Sequence, residues 1–272
     1  MIDRRGTLPD AVKLVRDQST IGLGGMTIYR RPVAFVKALI LQDKPPKNLT
    51  LLSFAAGVAS DMLVGAGLVS KVRTCYFGLE IFGLAPNFTT AANKGELEII
   101  EESEASLAYG IRAQLAGVGF MPSMAWQGTE MFSVRPDIKT IKDPYTGLQL
   151  TAFPAVGCDV AVIHVVKADL SGNCILGGNP TIDIELANIA STVIITAEEI
   201  VDEIEDKVDI TSTNVDIVVH LPEGAKPTSC YPLYPIDGLE ILRYISYSTQ
   251  NQLHKYLEEE SSKPVPITSD AD

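Results

Sequence analysis

The sequence predicts an α/β fold in which a mostly parallel sheet is flanked by helices. Short apolar runs alternate with amphipathic helical patterns from end to end, and 46% of the 272 residues are hydrophobic. Apolar runs without polar alternation are typical of strands covered on both faces, and strand–helix alternation produces parallel pairing. Helices are therefore predicted over 8–17, 32–41, 60–66, 85–93, 105–116, 182–190 and 239–259. Strands are predicted over 49–54, 71–77, 97–101, 148–153, 160–166, 192–196 and 215–220, after a first strand that begins near residue 20.

The segment 20–32 (TIGLGGMTIYRRP) joins the first strand to a helix and is rich in glycine. Glycines let backbone amides approach a ligand without interference from Cβ atoms. Pro32 is favoured in the first turn of a helix, where partial positive charge collects, so the amides between Gly24 and Arg31 are expected to converge there. The segment predicts an anion or oxyanion site. A tight strand-to-helix turn with no ligand is the alternative.

The rest of the chain predicts one domain with a local departure from the parallel pattern. The segment 136–147 is polar and turn-rich, and DLSGN at 169–173 predicts an antiparallel hairpin within the α/β fold. Because no repeat or low-complexity linker is present, a single α/β domain is predicted over 1–259, followed by a frayed polar tail over 260–272.

The charge balance excludes two classes of partner. A formal net charge of −12 is incompatible with an electrostatic footprint for nucleic acid or an anionic membrane. Residues 1–20 carry charges throughout, and no apolar run reaches the roughly 18–20 residues that span a bilayer. We therefore expect a soluble, cytoplasmic protein that contacts neither nucleic acid nor membrane.

The cysteines and histidines predict no metal site. Four cysteines are widely spaced without a C-x-x-C pair, so they are expected to be reduced thiols in or near the core. The three histidines are also isolated from one another in sequence. His164 lies in the apolar run AVIHVV and is predicted to be a satisfied core histidine rather than a catalytic one.

Five segments place glycines or polar groups at predicted strand ends, where ligands bind in open α/β sheets. They are the glycine turn with Gly24, Gly25 and Met26, the segment 53–57 (SFAAG), Glu80 after a buried strand, Glu104 in the acidic group 101–104, and Gln127 in a loop.

Each of these segments also has a purely structural interpretation. Small residues at 53–57 suit ordinary strand–helix packing, and Glu80 suits a solvated loop. The acidic group complements a helix dipole, although Glu104 could act as a general base if it were turned inward and desolvated. Gln127 offers donors and an acceptor to a carboxylate or thioester carbonyl, or lies in a surface turn.

Taken in order, these segments resemble the α subunit of family I coenzyme A transferases, most closely the glutaconate CoA-transferase type. The resemblance covers nearly the whole chain, and the order and spacing of the motifs carry it. The motifs are IGLGGMTIYRRPVAFVKAL at 21–39, AAGVASDMLVGAGLVSKV at 55–72, EASLAYGIRAQLAGVGFMPS at 104–123, DPYTG at 143–147, DVAVIHVVKADLSGNCIL at 159–176 and EGAKPTSCYPLYPIDG at 223–238.

The resemblance implies covalent catalysis in which a glutamate carboxylate attacks an acyl-CoA and then carries CoA as a thioester. In the glutaconate type that glutamate lies in an S-E-N-G-like motif of the β subunit, which this chain lacks. The implied partners are a β subunit, an acyl-CoA and a short dicarboxylic or keto acid, with CoA as substrate and no tightly bound cofactor. The Gly24–Met26 amides are implied to lie near the thioester carbonyl, and Glu80 and Gln127 to face the substrate.

Two other functions stay open. Many transferase α subunits similar to this chain carry a glutamine where Glu104 stands, whereas related ring-opening hydrolases carry a glutamate. A hydrolase or decarboxylase of a CoA thioester that uses Glu104 as its base is therefore the alternative. A noncatalytic, CoA-binding adaptor is the third hypothesis.

Overall fold

The computed structural model describes residues 2–261, and the chain folds around a parallel sheet as predicted. Seven strands are parallel in the order β11-β10-β8-β1-β2-β3-β4, and β9 is antiparallel to β8. The strands are β1 (Thr20–Leu23), β2 (Leu49–Ala56), β3 (Val69–Phe77), β4 (Glu98–Glu101), β5 (Phe120–Ser123), β6 (Lys139–Lys142), β7 (Gln149–Pro154), β8 (Cys158–Asp169), β9 (Cys174–Ile175), β10 (Ala190–Val201) and β11 (Ile217–His220).

Helices cover both faces of this sheet. They are α1 (Leu8–Val12), α2 (Val33–Ile40), α3 (Val58–Gly65), α4 (Pro86–Asn93), α5 (Glu104–Leu115), α6 (Met131–Val134), α7 (Asp183–Ile189), α8 (Gly238–Thr249) and α9 (Leu253–Ser261). One buried cluster joins the sheet to α1–α3, α8 and α9, with residues such as Leu39, Met62 and Tyr256. A second joins its other face to α5 and α7 through Leu107 and Leu186. The buried, nearly continuous apolar strands are explained by this double coverage.

The order of the strands determines where a ligand can bind. From the central strand β1, the chain proceeds outward through β2, β3 and β4 on one side, and later through β8, β10 and β11 on the other. Ile21 of β1 is in register with Leu51 on one side and Val160 on the other. Ligands bind at the carboxyl ends of the strands where such an order reverses. The glycine turn leaves the sheet at this point, beside β8.

A second, three-stranded antiparallel sheet with the order β5-β7-β6 packs against α5. Its core contains Trp126, Ile138 and Phe153, and the Trp126 and Phe153 rings meet edge-to-face at 5.0 Å. Strand β5 was not predicted from the sequence. Strand β6 lies within the segment 136–147, which was predicted to be turn-rich. All four β6 residues are exposed, so the strand has no apolar face to reveal it.

Of three other predictions about the elements, one is confirmed and two are corrected. The hairpin at 169–173 is confirmed, because β9 pairs with β8 directly after it. The first helix ends at Val12 rather than at 17. The helix predicted over 239–259 is wrong as one element: α8 and α9 are separated at 250–252, where Asn251 has a φ of 58°. Of the predicted polar tail, residues 262–272 lie outside the described residues.

Candidate functional site

The glycine turn between β1 and α2 does not present free amides. The Gly24 amide donates to the Val162 carbonyl at 2.8 Å, and the Met26 amide donates to the Tyr29 carbonyl at 2.9 Å. The Gly25 amide donates to Asp183 Oδ1 at 2.9 Å. In this chain by itself, each of these three amides therefore has an acceptor within the fold, and their role at an anion or a thioester carbonyl stays a prediction.

Two consecutive arginines, Arg30 and Arg31, are fully buried on the interior side of this turn. Arg30 forms an ion pair of 2.6 Å with Asp183 and donates to the His164 carbonyl at 2.6 Å. Arg31 donates to the carbonyls of Leu23 and Gly24 at 2.8 and 3.0 Å. Sequence reasoning missed these residues. The signal that could have found them is an Arg-Arg pair inside an apolar stretch, since a buried guanidinium requires ion-pair or hydrogen-bond partners within the fold.

The backbone of the turn is strained and closely packed against the end of β2. Thr27 and Arg30 have φ values of 41° and 50°, a region that non-glycine residues rarely adopt. The Thr27 amide donates to the Ala55 carbonyl at 3.2 Å. A Cβ atom on Gly57 would lie 1.9 Å from the Thr27 carbonyl oxygen. The small residues of 53–57 therefore allow the end of β2 to meet the glycine turn.

The acidic group at the start of α5 separates into one buried and one exposed carboxylate. Glu102 is 7% exposed and forms ion pairs with Arg73 at 3.0 Å and Arg135 at 2.9 Å. Glu104, the first residue of α5, is exposed. A general base at this position was expected to be a carboxylate that is turned inward and desolvated. Glu102 is the buried carboxylate, whereas Glu104 is not. Because both arginines pair with its carboxylate, Glu102 links the start of α5 to β3 and to the chain after α6.

Glu104 still lies at the same sheet edge as the other candidate residues. Burial and then the Glu104 carboxylate raise the pKa of the Cys75 thiol on β3 to about 11. The Cys75 thiol donates to the Phe54 carbonyl at 2.7 Å, so the ends of β2, β3 and α5 meet there. Ser103 caps α5 and accepts a hydrogen bond of 2.8 Å from the Trp126 indole.

Gln127 and Glu80 occupy two different surroundings. Gln127 follows Trp126 and is therefore brought next to the Ser103–Glu104 corner, where its side-chain amide donates to Thr151 Oγ1 at 3.0 Å. Glu80 begins a short 3-10 turn after β3, is exposed and has a φ of 55°. Exposed Ile81 and Leu84 follow it. Glu80 and Glu104 thus follow β3 and β4 of the parallel sheet, whereas Gln127 follows β5 of the second sheet, and no hydrogen bond joins these three residues.

A buried polar network lies on the other side of the glycine turn. His164 contacts Thr196 Oγ1 through Nδ1 at 2.8 Å and Glu198 Oε1 through Nε2 at 2.6 Å. The Tyr234 hydroxyl also donates to Glu198. Burial lowers the pKa of His164, which is fully enclosed. The prediction of a satisfied core histidine is confirmed.

This network also contains a possible set of metal ligands, because ligand atoms of His164, Glu198 and Cys230 lie within 4.8 Å of one another. The His164–Glu198 separation of 2.6 Å is that of a hydrogen bond. Two ligands on one tetrahedral zinc ion, with bonds of about 2.0–2.1 Å, would be separated by about 3.3 Å. His164 and Glu198 therefore form a hydrogen-bonded pair, and Glu198 anchors the segment 221–237 by accepting from the Glu223 amide and the Tyr234 hydroxyl. All four cysteines are free, as expected.

Among residues 2–261, no helix is both long enough and apolar enough to cross a membrane.

Comparison with known proteins gives the family. The family model described as "Coenzyme A transferase" matches residues 6–220. The chain is 35% identical over 239 residues to the A-type subunit of 3-oxoadipate CoA-transferase from Pseudomonas knackmussii, covering 85% of this chain and 84% of the relative. It is 31% identical over 255 residues to the A-type subunit of glutaconate CoA-transferase from Acidaminococcus fermentans, covering 85% and 79%.

A third relative is named as a subunit of a hydrolase rather than of a transferase. The cholesterol ring-cleaving hydrolase IpdA subunit of Rhodococcus jostii is 30% identical over 241 residues, covering 82% of this chain and 79% of the relative. The chain spans only 59% of the length of an Archaeoglobus fulgidus relative, to which it is 33% identical over 267 residues.

Solved structures agree with the fold described above. The decarboxylase AibA/AibB superposes with a TM-score of 0.90 at 30% identity, covering 97% of this chain and 100% of the other. The glutaconate coenzyme A-transferase of Acidaminococcus fermentans superposes with a TM-score of 0.86 at 30% identity, covering 94% and 88%. The family model over residues 6–220 and relatives at 31–35% identity therefore show that the chain belongs to the coenzyme A transferase family.

Proposed function

We propose that this chain works with a β subunit to move CoA between an acyl-CoA and a short dicarboxylic or keto acid, and that the nucleophilic glutamate belongs to the β subunit. The observation that carries the proposal is the pairing and exposure of the carboxylates at the sheet edge. Glu102 is neutralised by two arginines, whereas Glu80 and Glu104 are exposed to solvent in the isolated chain. A nucleophilic carboxylate requires an enclosed position against the thioester, which a second subunit would supply.

The surface around this edge supports an interface with that subunit. Exposed apolar side chains surround the glycine turn and the loop after β3. Ile81 and Leu239 are 89% and 82% exposed, and Met26, Leu84 and Tyr231 are exposed as well. Gly238 lies against the Phe82 ring, which joins the start of α8 to the loop that carries Glu80. Large apolar side chains left exposed in this way are typical of protein interfaces.

Within such a complex, Gly24, Gly25, Met26, Glu80 and Gln127 would line the substrate side. CoA would be a substrate held for each turnover and not a resident cofactor. The test is an acyl-CoA exchange assay on the chain copurified with a candidate β subunit. Transfer of CoA to a dicarboxylic or keto acid supports the proposal, and a complex that exchanges CoA with no small acid contradicts it.

A second candidate function is hydrolysis or decarboxylation of a CoA thioester with Glu104 as the base. Two observations favour it: the position of Glu104 beside Cys75 at the edge, and the similarity to the decarboxylase AibA/AibB and to the IpdA subunit of the hydrolase. Glu104→Gln decides between the candidates. Loss of turnover with unchanged melting temperature supports the base role, and retained turnover excludes it.

A noncatalytic, CoA-binding role makes a different prediction. The complex would bind CoA thioesters but would turn over none of them, with either Glu104 or glutamine at that position. The sequence of the copurified partner provides an inexpensive additional test, because an S-E-N-G-like glutamate there favours the transferase.

A further inference from the structure

The buried charges beneath the glycine turn do not balance. Arg30, Arg31 and Asp183 are each 0% exposed. Asp183 forms its 2.6 Å ion pair with Arg30. Within residues 2–261 no carboxylate forms an ion pair with Arg31, so this arginine shares the more distant charge of Asp183 with its neighbour.

Arg31 instead binds the carbonyl oxygens that end β1. Its guanidinium donates to Leu23 at 2.8 Å and to Gly24 at 3.0 Å, with Ser53 Oγ at 3.4 Å. Carbonyl oxygens at the carboxyl end of a strand would otherwise direct partial negative charge toward a ligand. Here both oxygens accept hydrogen bonds from the buried Arg31 cation instead.

Burial lowers the pKa of Arg31 to about 10, which leaves the guanidinium charged at neutral pH. The other titratable groups near the turn include Tyr29, Cys158, Arg30, Asp183 and the His164–Glu198 pair. Burial lowers the pKa of His164, so the histidine adds no charge at neutral pH, and Glu198 is directed to His164 and Tyr234. A cation in a poorly screened interior acts over a longer distance than one in water.

We propose that Arg31 is the positioning residue that gives the glycine turn its positive potential and so stabilises an anionic group, a carboxylate or thioester oxyanion, bound at the outer face of the turn. This role would replace the one predicted for the backbone amides of Gly24, Gly25 and Met26, which are already occupied. The catalytic consequence rests on the proposed function, whereas the potential itself does not.

The potential can be measured without any enzyme activity. A thiol introduced by Met26→Cys stands on the turn, where the native side chain is 38% exposed, and Cys75→Ser removes the half-buried native thiol. The probe is the rate at which neutral iodoacetamide alkylates the thiol near pH 7.5. Positive potential favours the thiolate, so Arg31→Gln is expected to lower this rate at least about threefold and Arg31→Lys to keep it within about twofold.

Removal of a buried negative charge is the complementary experiment. Asp183→Asn removes the neutralising carboxylate and is expected to raise the alkylation rate, which also keeps the test decisive if Arg31→Gln fails to fold. Arg243→Gln, in an ion-pair network between α8 and α9, is the matched control and leaves the rate unchanged. Equal rates with and without the Arg31 charge, or no increase with Asp183→Asn, would overturn the proposal.

Kinetics of the complex with its β subunit test the catalytic consequence. Arg31→Gln is expected to lower kcat about 10²-fold with KM changed less than about threefold, and Arg31→Lys to recover most of kcat. A folded Arg31→Gln variant with wild-type kcat contradicts the role. If the unmodified complex shows no turnover, the proposed function fails while the alkylation result still decides the origin of the potential.

Discussion

The Asp183 carboxylate accepts a hydrogen bond from the backbone amide of Gly25, with 2.9 Å between N and Oδ1, although the two residues are 158 positions apart in the chain. The same carboxylate forms the ion pair with Arg30, so one side chain at the start of α7 holds both the backbone and the buried charge of the glycine turn. The shape of the candidate site therefore depends on a residue outside the glycine-rich segment.

Replacement of this carboxylate tests that dependence. Asp183→Ala leaves Arg30 buried without its partner, and we expect the free energy of unfolding to fall by about 3–5 kcal/mol. Urea unfolding followed by circular dichroism measures the change. Glu199→Ala breaks the partly exposed Lys167–Glu199 pair and serves as the control, with no measurable loss. Equal stability of the two variants would show that Asp183 does not hold the turn.

Gly57 provides a test of the close approach between β2 and the glycine turn. A Cβ atom there would lie 1.9 Å from the backbone oxygen of Thr27, so Gly57→Ala must displace the turn. We expect a loss of about 1–3 kcal/mol in stability, together with reduced turnover of the complex. Gly119→Ala is the matched control, because its Cβ would meet no heavy atom within 4 Å. A Gly57→Ala variant as stable and active as Gly119→Ala would contradict this description.

Asp61 predicts a pH dependence of stability away from the site. Its carboxylate is fully buried and accepts hydrogen bonds from the Tyr244 hydroxyl at 2.6 Å and the Phe88 amide at 2.7 Å. Burial raises the pKa of Asp61 to about 6. The folded pKa lies above the unfolded one, so the contribution of Asp61 is fully present below about pH 4. It is lost as pH rises through about 6.

The variant Asp61→Asn does not titrate at this position. Its stability relative to the natural protein should therefore increase by about 2–3 kcal/mol between about pH 4 and pH 7. Urea unfolding of both proteins across this range measures the difference. A difference that stays constant with pH would show that Asp61 has an ordinary pKa in the folded protein.

The sequence predicted the parallel sheet well because its strands are apolar on both faces and its helices are amphipathic. Two classes of feature were missed for physical reasons. The exposed strand β6 has no buried face, and its pairing with β7 involves residues that look like a polar loop. The Arg30–Asp183 pair joins residues 153 positions apart, which local periodicity cannot detect.

The location of the candidate site at the strand ends stays a prediction, and the internal arrangement of the glycine turn was not predicted. The glycines marked the turn, whereas the acceptors of its amides come from β8, α7 and the turn itself. Which of Glu102 and Glu104 is buried depends on Arg73 and Arg135, contributed by β3 and by the chain after α6. Such choices are made by tertiary contacts, not by the local pattern.

The most direct test of the proposed division of labour is to find which polypeptide carries the CoA thioester. The chain, copurified with its β subunit, is incubated with acyl-CoA, digested and analysed by mass spectrometry for peptides with covalently attached CoA. We expect the adduct on a glutamate of the β subunit, with none on this chain. An adduct on Glu104 or another carboxylate of this chain, or turnover with no adduct on either polypeptide, would contradict that division.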